Sequence, residues 1–437
     1  MLAKEINSYQ WVDNSYNQCF TSDIGFTQLL ASEPYVIPAS DYKKARDRLA
    51  VIHDFQDRCI SLFRKALSGS DKELLHWLLN ETPTSFGVPY HQGLKEHHYT
   101  KPVFFRTDEM SQGKIAEIQC PGSLWGEMEL MYQNYLRLGY RIENGSPASE
   151  FTRQLRNYLG ESPVVHYLVD NASIPVGIRY FIQQTRPDIR YWGIDKNVIA
   201  FRKSKKGNEE TARIVCNFVR THSFFGLCGE NYFNLRLKEE TPNFKYDFPP
   251  YVLFDQKAPL ALPFWKKTRD YFTDEIRSMI IFSSPICGNI IELEDGPITI
   301  DDFSKQSRSK RRYYLKYAGT DVSINWGSRA VERLSNLSST KCFELLQQCV
   351  LEYGRGKIWM IQKEISEEQQ VTYVNRSGET KTENLNNKYS FFYGAYDLIG
   401  AVITHSKKHI VHGQSDSVVN LIVARSDSTT KNNNLPF

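Results

Sequence analysis

The stretch at residues 104–122, "FFRTDEMSQGKIAEIQCPG", consists of two short runs that are typical of β-strands, joined by a tight turn. Arg106 comes two residues before Asp108 in the first run, and Glu117 comes two residues before Gln119 in the second. Successive side chains of a strand alternate between its two faces, so each pair shares a face. The stretch therefore predicts a β-hairpin that presents an arginine, two carboxylates and an amide together.

These residue types suit the binding of a metal–phosphate group. Mg²⁺ prefers oxygen ligands, usually one or two carboxylates with phosphate and water, and the planar guanidinium of Arg106 suits phosphate oxygens. Asp108, Glu117 and Gln119 are the predicted metal ligands. The alternative is an ordinary exposed hairpin with its polar side chains in water and its isoleucines turned inward.

Composition limits the class of protein. The chain has 437 residues, of which 41% are hydrophobic and 24% charged, with a net charge of only +4. It can bury a large core, and it does not resemble a disordered or fibrous chain. Eight cysteines without a Cys-x-x-Cys pair favour free thiols. We see neither a signal peptide nor an apolar stretch of ~20 residues, and we expect a cytoplasmic protein without a membrane partner.

The spacing of apolar residues changes several times along the chain. The first hundred residues show helical spacing of apolar residues, residues 161–245 alternate strand-like and helix-like runs, and residues 329–354 predict a helix interrupted near 336–339. We therefore predict five sections: a helical section at 1–103, the hairpin and its following helix at 104–160, a Rossmann-like α/β section at 161–245, nucleotide-binding lobes at 246–425, and a flexible tail at 426–437.

The hairpin resembles the metal-binding segment of ATP-grasp carboxylate–amine ligases. The residues that carry the resemblance are Arg-x-Asp, a turn, Glu-x-Gln and then Pro-Gly. The segment is similar to that of D-alanine–D-alanine ligase and of the glutathionylspermidine synthetase group. It implies that Asp108, Glu117 and Gln119 hold Mg²⁺ and that Arg106 contacts the γ-phosphate of ATP. Gln119 departs from the family, which usually has asparagine at this place.

Two later segments resemble the nucleotide-binding half of the same family. In "YYLKYAGTDVSINWGSRAV" a lysine, Lys316, emerges from an apolar strand before a loop, and "IWMIQKEIS" resembles the hinge strand whose backbone contacts adenine. The resemblance implies that Lys316 binds the nucleotide phosphates. It assigns further cofactor contacts in the loop to Gly319, Gly327 and Ser328 and in the hinge to Gln362, Lys363, Glu364 and Ile365. The loop has fewer glycines than most relatives.

A second lysine is expected from the segment before the lysine strand. Lys257, Lys266 and Lys267 are the candidates in "FDQKAPLALPFWKK", and we assign Lys267 to the cofactor site with the other two left open. Because the hairpin precedes the lysine strand, the order resembles that of the circularly permuted ATP-grasp proteins. The resemblance thus implies an α/β (α+β) ATP-grasp fold.

The implied activity is an ADP-forming ligase that uses ATP and Mg²⁺ to join a small-molecule carboxylate to an amine. One alternative is a nucleotide-binding or interaction protein that kept the fold and lost catalysis. Another is a nucleic-acid-binding protein that uses the basic run "SKQSRSKRR" at 304–312, although the balanced total charge disfavours a nucleic-acid partner. The identities of the acid and amine are left open, and so is the oligomeric state, with a homodimer as one option.

Overall fold

Helices and short 3₁₀ turns occur in both halves of the chain. The computed structural model describes residues 29–81, 101–111, 113–120, 125–159, 164–168, 191–192, 212–217, 252–254, 256–320, 324, 330–375, 377–411 and 416–425. The α-helices are α1 (Ala39–Leu67), α2 (Lys72–Leu79), α3 (Trp125–Arg137), α4 (Pro147–Leu159), α5 (Asp274–Met279), α6 (Ile300–Lys305) and α7 (Ser339–Tyr353). The 3₁₀ turns are Val252–Phe254, Ala258–Ala261, Arg269–Tyr271 and Leu334–Asn336.

The strands are numbered in chain order. In the first half they are β1 (Leu29–Leu30), β2 (Tyr35–Pro38), β3 (Phe105–Ser111), β4 (Lys114–Gln119), β5 (Val164–Leu168), β6 (Tyr191–Trp192) and β7 (Ala212–Asn217). In the second half they are β8 (Ser283–Pro285), β9 (Ile290–Leu293), β10 (Gly296–Thr299), β11 (Tyr313–Tyr317), β12 (Val331–Arg333), β13 (Trp359–Lys363), β14 (Glu368–Val374), β15 (Thr380–Tyr393), β16 (Leu398–Ser406) and β17 (Val418–Arg425).

The described strands form four sheets. The largest has eight strands in the order β1-β17-β16-β15-β3-β4, with β14 also paired to β15 and β2 to β17. A four-stranded sheet has the order β12-β11-β13-β8, and β9 and β10 form a separate antiparallel pair. The parallel strands β6-β5-β7 lie in the section at 161–245 for which the sequence predicts a Rossmann-like α/β arrangement. Most of that section lies outside the described residues.

The large sheet has one apolar face and one polar face in the region of β15. Phe391 and Tyr393 belong to the main core with residues of α1, and the Tyr393 hydroxyl donates to the carbonyl oxygen of Ala45 at 2.8 Å. Lys388 and Ser390 alternate with these aromatic residues and lie on the opposite face. The core is thus formed on the α1 side, and Lys388 and Ser390 lie on the other face together with the buried Phe392.

The predicted hairpin is present as β3 and β4, with a β-bulge. The register shifts between Asp108 and Glu109, after which Glu109 lies opposite Ile115. An extra residue on one strand rotates the side chains that follow it. The bulge explains why Ile115 and Ile118 are both buried although their odd spacing in a regular strand would place them on opposite faces.

The segment at 329–354 is only partly helical. Residues 331–333 form β12, which pairs antiparallel with β11, and the helix α7 begins at Ser339. The predicted helix is therefore correct for its second half and wrong for its first. The Ser338 hydroxyl accepts a hydrogen bond from the Lys341 backbone N–H, which caps the N-terminus of α7.

The chain is a mixed α/β protein with several sheets. Within the described ranges, no helix combines the length and apolar character that a membrane span requires. Three residues of the basic run have internal partners: Lys305 pairs with Asp301, Arg311 donates to the Leu337 carbonyl, and Arg312 contacts a carboxylate of the hinge.

Candidate active site

The hairpin aligns its four polar residues on one face. Arg106 lies opposite Gln119 and Asp108 lies opposite Glu117 in the β3–β4 register. Directly opposite residues of antiparallel strands share a face, as the sequence spacing predicts. The site is therefore built on paired strands, which fix the relative positions of the four side chains.

A buried ion pair fixes the hairpin to α1. The Arg48 guanidinium lies 3.1 Å from both carboxylate oxygens of Glu109, whose side chain is fully buried. Glu109 also accepts the Gly113 backbone N–H at 2.7 Å, which closes the turn. On the other strand, the Ile281 N–H donates to the Ile115 carbonyl at 3.0 Å. The hairpin is thus held from both sides.

Asp108 is surrounded by cations. Its Oδ1 accepts from Arg106 Nε and from Ser390 Oγ, both at 2.8 Å, and its Oδ2 accepts from Lys388 Nζ at 2.8 Å and from Arg106 Nη2 at 3.1 Å. Burial alone raises the pKa of Asp108, but the charges and hydrogen bonds of Arg106 and Lys388 outweigh burial and hold the pKa well below its ordinary value. The residue is therefore an ionised carboxylate shared by two cations.

Arg106 also contacts Gln119. Its Nη2 donates to the Gln119 Oε1 at 2.6 Å, so the guanidinium bridges two of the three predicted metal ligands. The Arg106 guanidinium lies 5.9 Å from the ring centroid of Phe392. The polar and ring contacts together give Arg106 a fixed orientation on the hairpin face.

Glu117 faces lysines from the second half of the chain. Lys257 Nζ lies 3.1 Å from Glu117 Oε1, and the two side chains are 10% and 26% exposed. Burial raises the pKa of Glu117, but the charge of Lys257, together with those of Lys316 and Lys388, brings the pKa below its ordinary value. The carboxylate is therefore ionised at neutral pH.

Lys316 lies on β11, as predicted, and its charge interacts with the hairpin carboxylate. Burial lowers the pKa of Lys316 to about 8, an effect that Glu117 opposes and Lys257 increases. Its ammonium donates to the Gln362 Oε1 at 2.5 Å, and the Gln362 Nε2 in turn donates to the carbonyl of Ala116 in β4 at 3.2 Å. The strand β11 and the hairpin, which are distant in sequence, thus meet through Gln362. With a pKa of about 8, Lys316 is mainly cationic at pH 7.

The site therefore contains a group of ionisable side chains from four segments. We refer to it as the charged cluster, defined as Arg106, Asp108, Glu117, Lys257, Lys316 and Lys388. Of these, Lys388 was not predicted, and neither was its neighbour Ser390. The alternation of polar and aromatic residues along β15 is the signal that marks them, but the pairing of β15 with β3 that brings them to the hairpin joins distant parts of the chain.

The hinge residues use most of their polar groups internally. Glu364 has a fully buried carboxylate that accepts from Arg333 Nε at 2.9 Å and lies 3.3 Å from Arg312 Nη2. Lys363 pairs with Glu294 at the surface. Ile365 follows β13 and is half-buried. The side chains of Lys363 and Glu364 are therefore occupied by protein partners, and their backbone N–H groups donate to the carbonyls of Phe282 and Arg312, each at 2.9 Å.

The start of the loop that follows β11 is tightly packed. A Cβ on Gly319 would lie 2.5 Å from the Tyr317 hydroxyl and 3.1 Å from the Asn80 Oδ1, so only glycine fits there without displacement. Gly327 and Ser328, the other predicted loop contacts, lie outside the described residues.

Asn80 joins the two lysine-bearing segments. Its Nδ2 donates to the Gln256 Oε1 at 2.5 Å, and its Oδ1 accepts from the Thr320 hydroxyl at 3.1 Å. Gln256 precedes Lys257 directly, and Thr320 ends the described part of the Lys316 segment. Asn80 has φ 38° and is the one residue other than glycine with positive φ among the described residues. Such strained backbone persists where the surrounding contacts enforce it.

Lys267, the lysine assigned from sequence, lies in another environment. Its Nζ is 3.0 Å from Asp71 and 2.6 Å from Glu73, both on or next to α2, and it lies 5.8 Å from the Trp265 ring centroid. The structure brings Lys257 to the hairpin instead. The 3₁₀ turn that follows Lys257 separates the two lysines in space, and sequence alone does not reveal that turn.

The side chains at the site can supply one carboxylate ligand to a Mg²⁺ ion that substrate phosphates also bind. Within the part of the chain that the structure describes, no group of three or more His, Cys, Asp or Glu side chains is placed to hold a metal. Asp108 and Gln119 are engaged by Arg106, whereas Glu117 is partly exposed beside the lysines. Mg²⁺ commonly takes one or two carboxylates with substrate phosphates and water, so Glu117 fits this role best.

Neither a protein-family model nor a curated protein matches the chain. A solved structure, that of a glutathione synthetase-like effector (GSS30) from Globodera pallida in its apo form, matches with a TM-score of 0.57 and 12% sequence identity, and the match covers 97% of each chain. At this identity the likeness concerns the fold. The chain therefore has a mixed α/β fold that resembles, over nearly its full length, the fold of this glutathione synthetase-like effector.

Proposed function

We propose that the protein is an ATP- and Mg²⁺-dependent ligase that joins a carboxylate to an amine. The proposal rests chiefly on one observation: Glu117 of the early hairpin lies 3.1 Å from Lys257 and interacts electrostatically with Lys316, both from the late half of the chain. A carboxylate flanked by lysines suits a triphosphate with its metal. The order in which the hairpin comes first, as in circularly permuted ATP-grasp proteins, is part of the proposal.

Each residue has a defined role in this proposal. Lys257 and Lys316 bind the phosphate chain, Arg106 orients the γ-phosphate, and residues 362–365 flank the adenine. Glu117 would hold Mg²⁺, with Asp108 and Gln119 as the further ligands that the family resemblance implies. When bound, the ion would neutralise part of the negative charge on the phosphates.

The chemistry consists of two displacements. A carboxylate oxygen of the acid substrate attacks the γ-phosphorus, and the bond to the ADP oxygen breaks, which gives an acyl phosphate and ADP. The amine nitrogen then attacks the acyl carbon, the carbon–oxygen bond breaks, and phosphate leaves while the nitrogen loses a proton to water. The lysines and Arg106 stabilise the negative charge that these steps shift among phosphate oxygens.

The test is an ADP-release screen of amino acids and polyamines as acid and amine substrates. Wild-type protein should release ADP over many turnovers only when both an acid and an amine are present, because the acid alone can form no more than about one acyl phosphate per site. Glu117→Ala should lower that rate at least about 100-fold, the scale of losing one electrostatic group in an active site, with an unchanged circular dichroism spectrum. Undiminished turnover in Glu117→Ala would refute the role of Glu117, and a wild-type protein that forms no ADP with any pair would refute the ligase.

The second candidate is a nucleotide-binding protein without catalysis. It is favoured by the contacts of Arg106 with Asp108 and Gln119, which occupy two of the three predicted metal ligands. This candidate predicts saturable binding of an ATP analogue without acid- and amine-dependent ADP release. Both candidates therefore predict binding of the ATP analogue, and only the ligase predicts ADP release that depends on an acid and an amine.

A further inference from the structure

We infer that the charged cluster binds the phosphate chain of a nucleotide through its own cations and needs no divalent metal for binding. The inference rests on the proposed function for the identity of the ligand, a nucleoside triphosphate. It differs from that function in its claim, which concerns binding and not turnover.

The first argument is the occupancy of the predicted metal ligands. Both oxygens of Asp108 accept hydrogen bonds from Arg106, and Lys388 and Ser390 each donate one more. The amide oxygen of Gln119 also accepts from Arg106. A metal at these atoms would have to displace buried charged hydrogen bonds, which is costly because the displaced cations lose their partner in a poorly solvated place. Arg106 and Lys388 therefore already supply positive charge to the side-chain oxygens of Asp108 and Gln119.

The second argument is the charge balance of the charged cluster. Four of its six side chains are cationic and two are anionic, so the charges of these six side chains sum to +2. The ammonium of Lys316 has the neutral amide oxygen of Gln362 as its hydrogen-bond acceptor. A cluster of this composition favours a polyphosphate over a bare divalent cation.

The third argument is rigidity. Lys388 and Arg106 are oriented by Asp108 on adjacent strands, and Lys316 is oriented by Gln362, which is 1% exposed and also bonds the Ser283 hydroxyl at 3.0 Å. Cations that are already fixed lose little side-chain entropy when a phosphate binds. The cluster is thus preorganised for an anion before any metal arrives.

The experiment is isothermal titration of the full chain with β,γ-methylene-ATP and with inorganic tripolyphosphate, each in excess EDTA and in excess Mg²⁺. We expect saturable binding of both ligands in EDTA, with a Kd within about threefold of that in Mg²⁺, since the protein's cations supply the attraction. Binding of either ligand that occurs only in Mg²⁺ would overturn the inference.

Charge variants sharpen the test. Glu117→Gln removes a negative charge beside the phosphate site and should tighten tripolyphosphate binding in EDTA about threefold or more, whereas a metal-held site would bind more weakly after this change. Lys257→Met should weaken binding about tenfold. The control is Lys381→Met, a lysine at the exposed end of the same strand as Lys388 that pairs with Glu379, and it should bind like wild type.

The outcomes separate the inference from the proposed function. Binding in EDTA without ADP release in any substrate mixture would support the inference and refute the ligase. ADP release combined with binding that strictly requires Mg²⁺, or weaker binding in Glu117→Gln, would refute the inference and leave the ligase standing. Equal binding by Lys257→Met and wild type would also refute it, because a cation of the cluster would then contribute nothing.

Discussion

Asp108 is the residue for which geometry and family resemblance imply different roles. The resemblance implies a metal ligand, while the contacts show a carboxylate shared by Arg106, Lys388 and Ser390. Removal of one partner from a buried ion pair costs about 3–5 kcal/mol because a charge remains unpaired. We therefore expect Asp108→Ala to lower the free energy of unfolding by about that amount even in EDTA, as measured by urea titration.

A second variant keeps this prediction testable if Asp108→Ala folds poorly. Asp108→Ala leaves Arg106 and Lys388 without their carboxylate partner. Adding Lys388→Met removes one of these two unpaired charges and should recover part of the lost stability. If Asp108→Ala is as stable as wild type in EDTA, Asp108 is not a structural anion and the metal-ligand role gains support.

His405 makes the folded state sensitive to acid. The side chain is fully buried, its Nδ1 lies 2.8 Å from the Asn387 Oδ1, and burial lowers its pKa to about 4. The unfolded chain takes up a proton near its ordinary pKa of about 6.5. Between these two values the unfolded state binds more protons than the folded state, so stability falls as the pH falls.

We expect the contribution from His405 to reach about 3 kcal/mol at pH 4, from roughly 1.4 kcal/mol per unit of pKa shift. His53, whose pKa burial and Lys101 also lower to about 4, acts in the same direction. Urea titrations between pH 7 and pH 4 should show a shallower loss of stability for His405→Gln than for wild type. Identical pH slopes would contradict the assignment.

At the scale of residues, spacing predicted the hairpin face and missed its environment. The period-2 rule placed Arg106, Asp108, Glu117 and Gln119 together, because that rule depends only on neighbours in sequence. Lys388 lies at the same site only because β3 pairs with β15. The sequence of either strand alone does not predict which distant strand it pairs with, or in which register.

At the scale of elements, the connection through Asn80 positions two segments at once. It contacts the residue before Lys257 and the residue at the root of the Lys316 loop. We expect Asn80→Gly to weaken the binding of β,γ-methylene-ATP about three- to tenfold with a small change in stability. Relief of strained backbone, worth about 1–3 kcal/mol, offsets much of the loss of the side-chain hydrogen bonds to Gln256, Thr320 and the Glu81 N–H.

Asn80→Ala separates these two terms, because it loses the same hydrogen bonds and keeps the strain. It should therefore be less stable than Asn80→Gly by about 1 kcal/mol or more. Asn375→Gly is the matched control, since Asn375 also holds a turn with its side chain, at an exposed place. Normal affinity in Asn80→Gly together with a large loss of stability would mean that Asn80 is structural only.

Elements differed from the sequence prediction where tertiary pairing overrides local preference. The spacing at 329–354 is compatible with one interrupted helix, yet residues 331–333 extend and pair with β11. β-strand preference depends strongly on context, and three residues at a sheet edge carry little pattern of their own. The helix α7, which has a capping serine and a longer apolar face, was predictable.

At the scale of the molecule, the large sheet joins distant parts of the chain. β1 and β2 both pair in parallel with β17, and β3 pairs with β15. The sheet therefore carries the early hairpin against strands from the last part of the chain. Family resemblance predicted that these regions belong together, but neither composition nor periodicity does, because loop closure over such distances leaves no local signature.

The contact between Glu117 and Lys257 tests this convergence directly. Both side chains are largely buried, and they belong to segments on either side of the 161–245 section. A double-mutant cycle with Glu117→Gln and Lys257→Met, followed by urea unfolding without nucleotide, should give a coupling energy of about 1–2 kcal/mol, more than exposed pairs give. The pair of Glu73 and Lys267, which are 46% and 31% exposed, should give less than about 0.5 kcal/mol after solvent screening. If the first cycle is additive within about 0.5 kcal/mol, the hairpin does not meet the late lysine in solution, and the ligase geometry loses its basis.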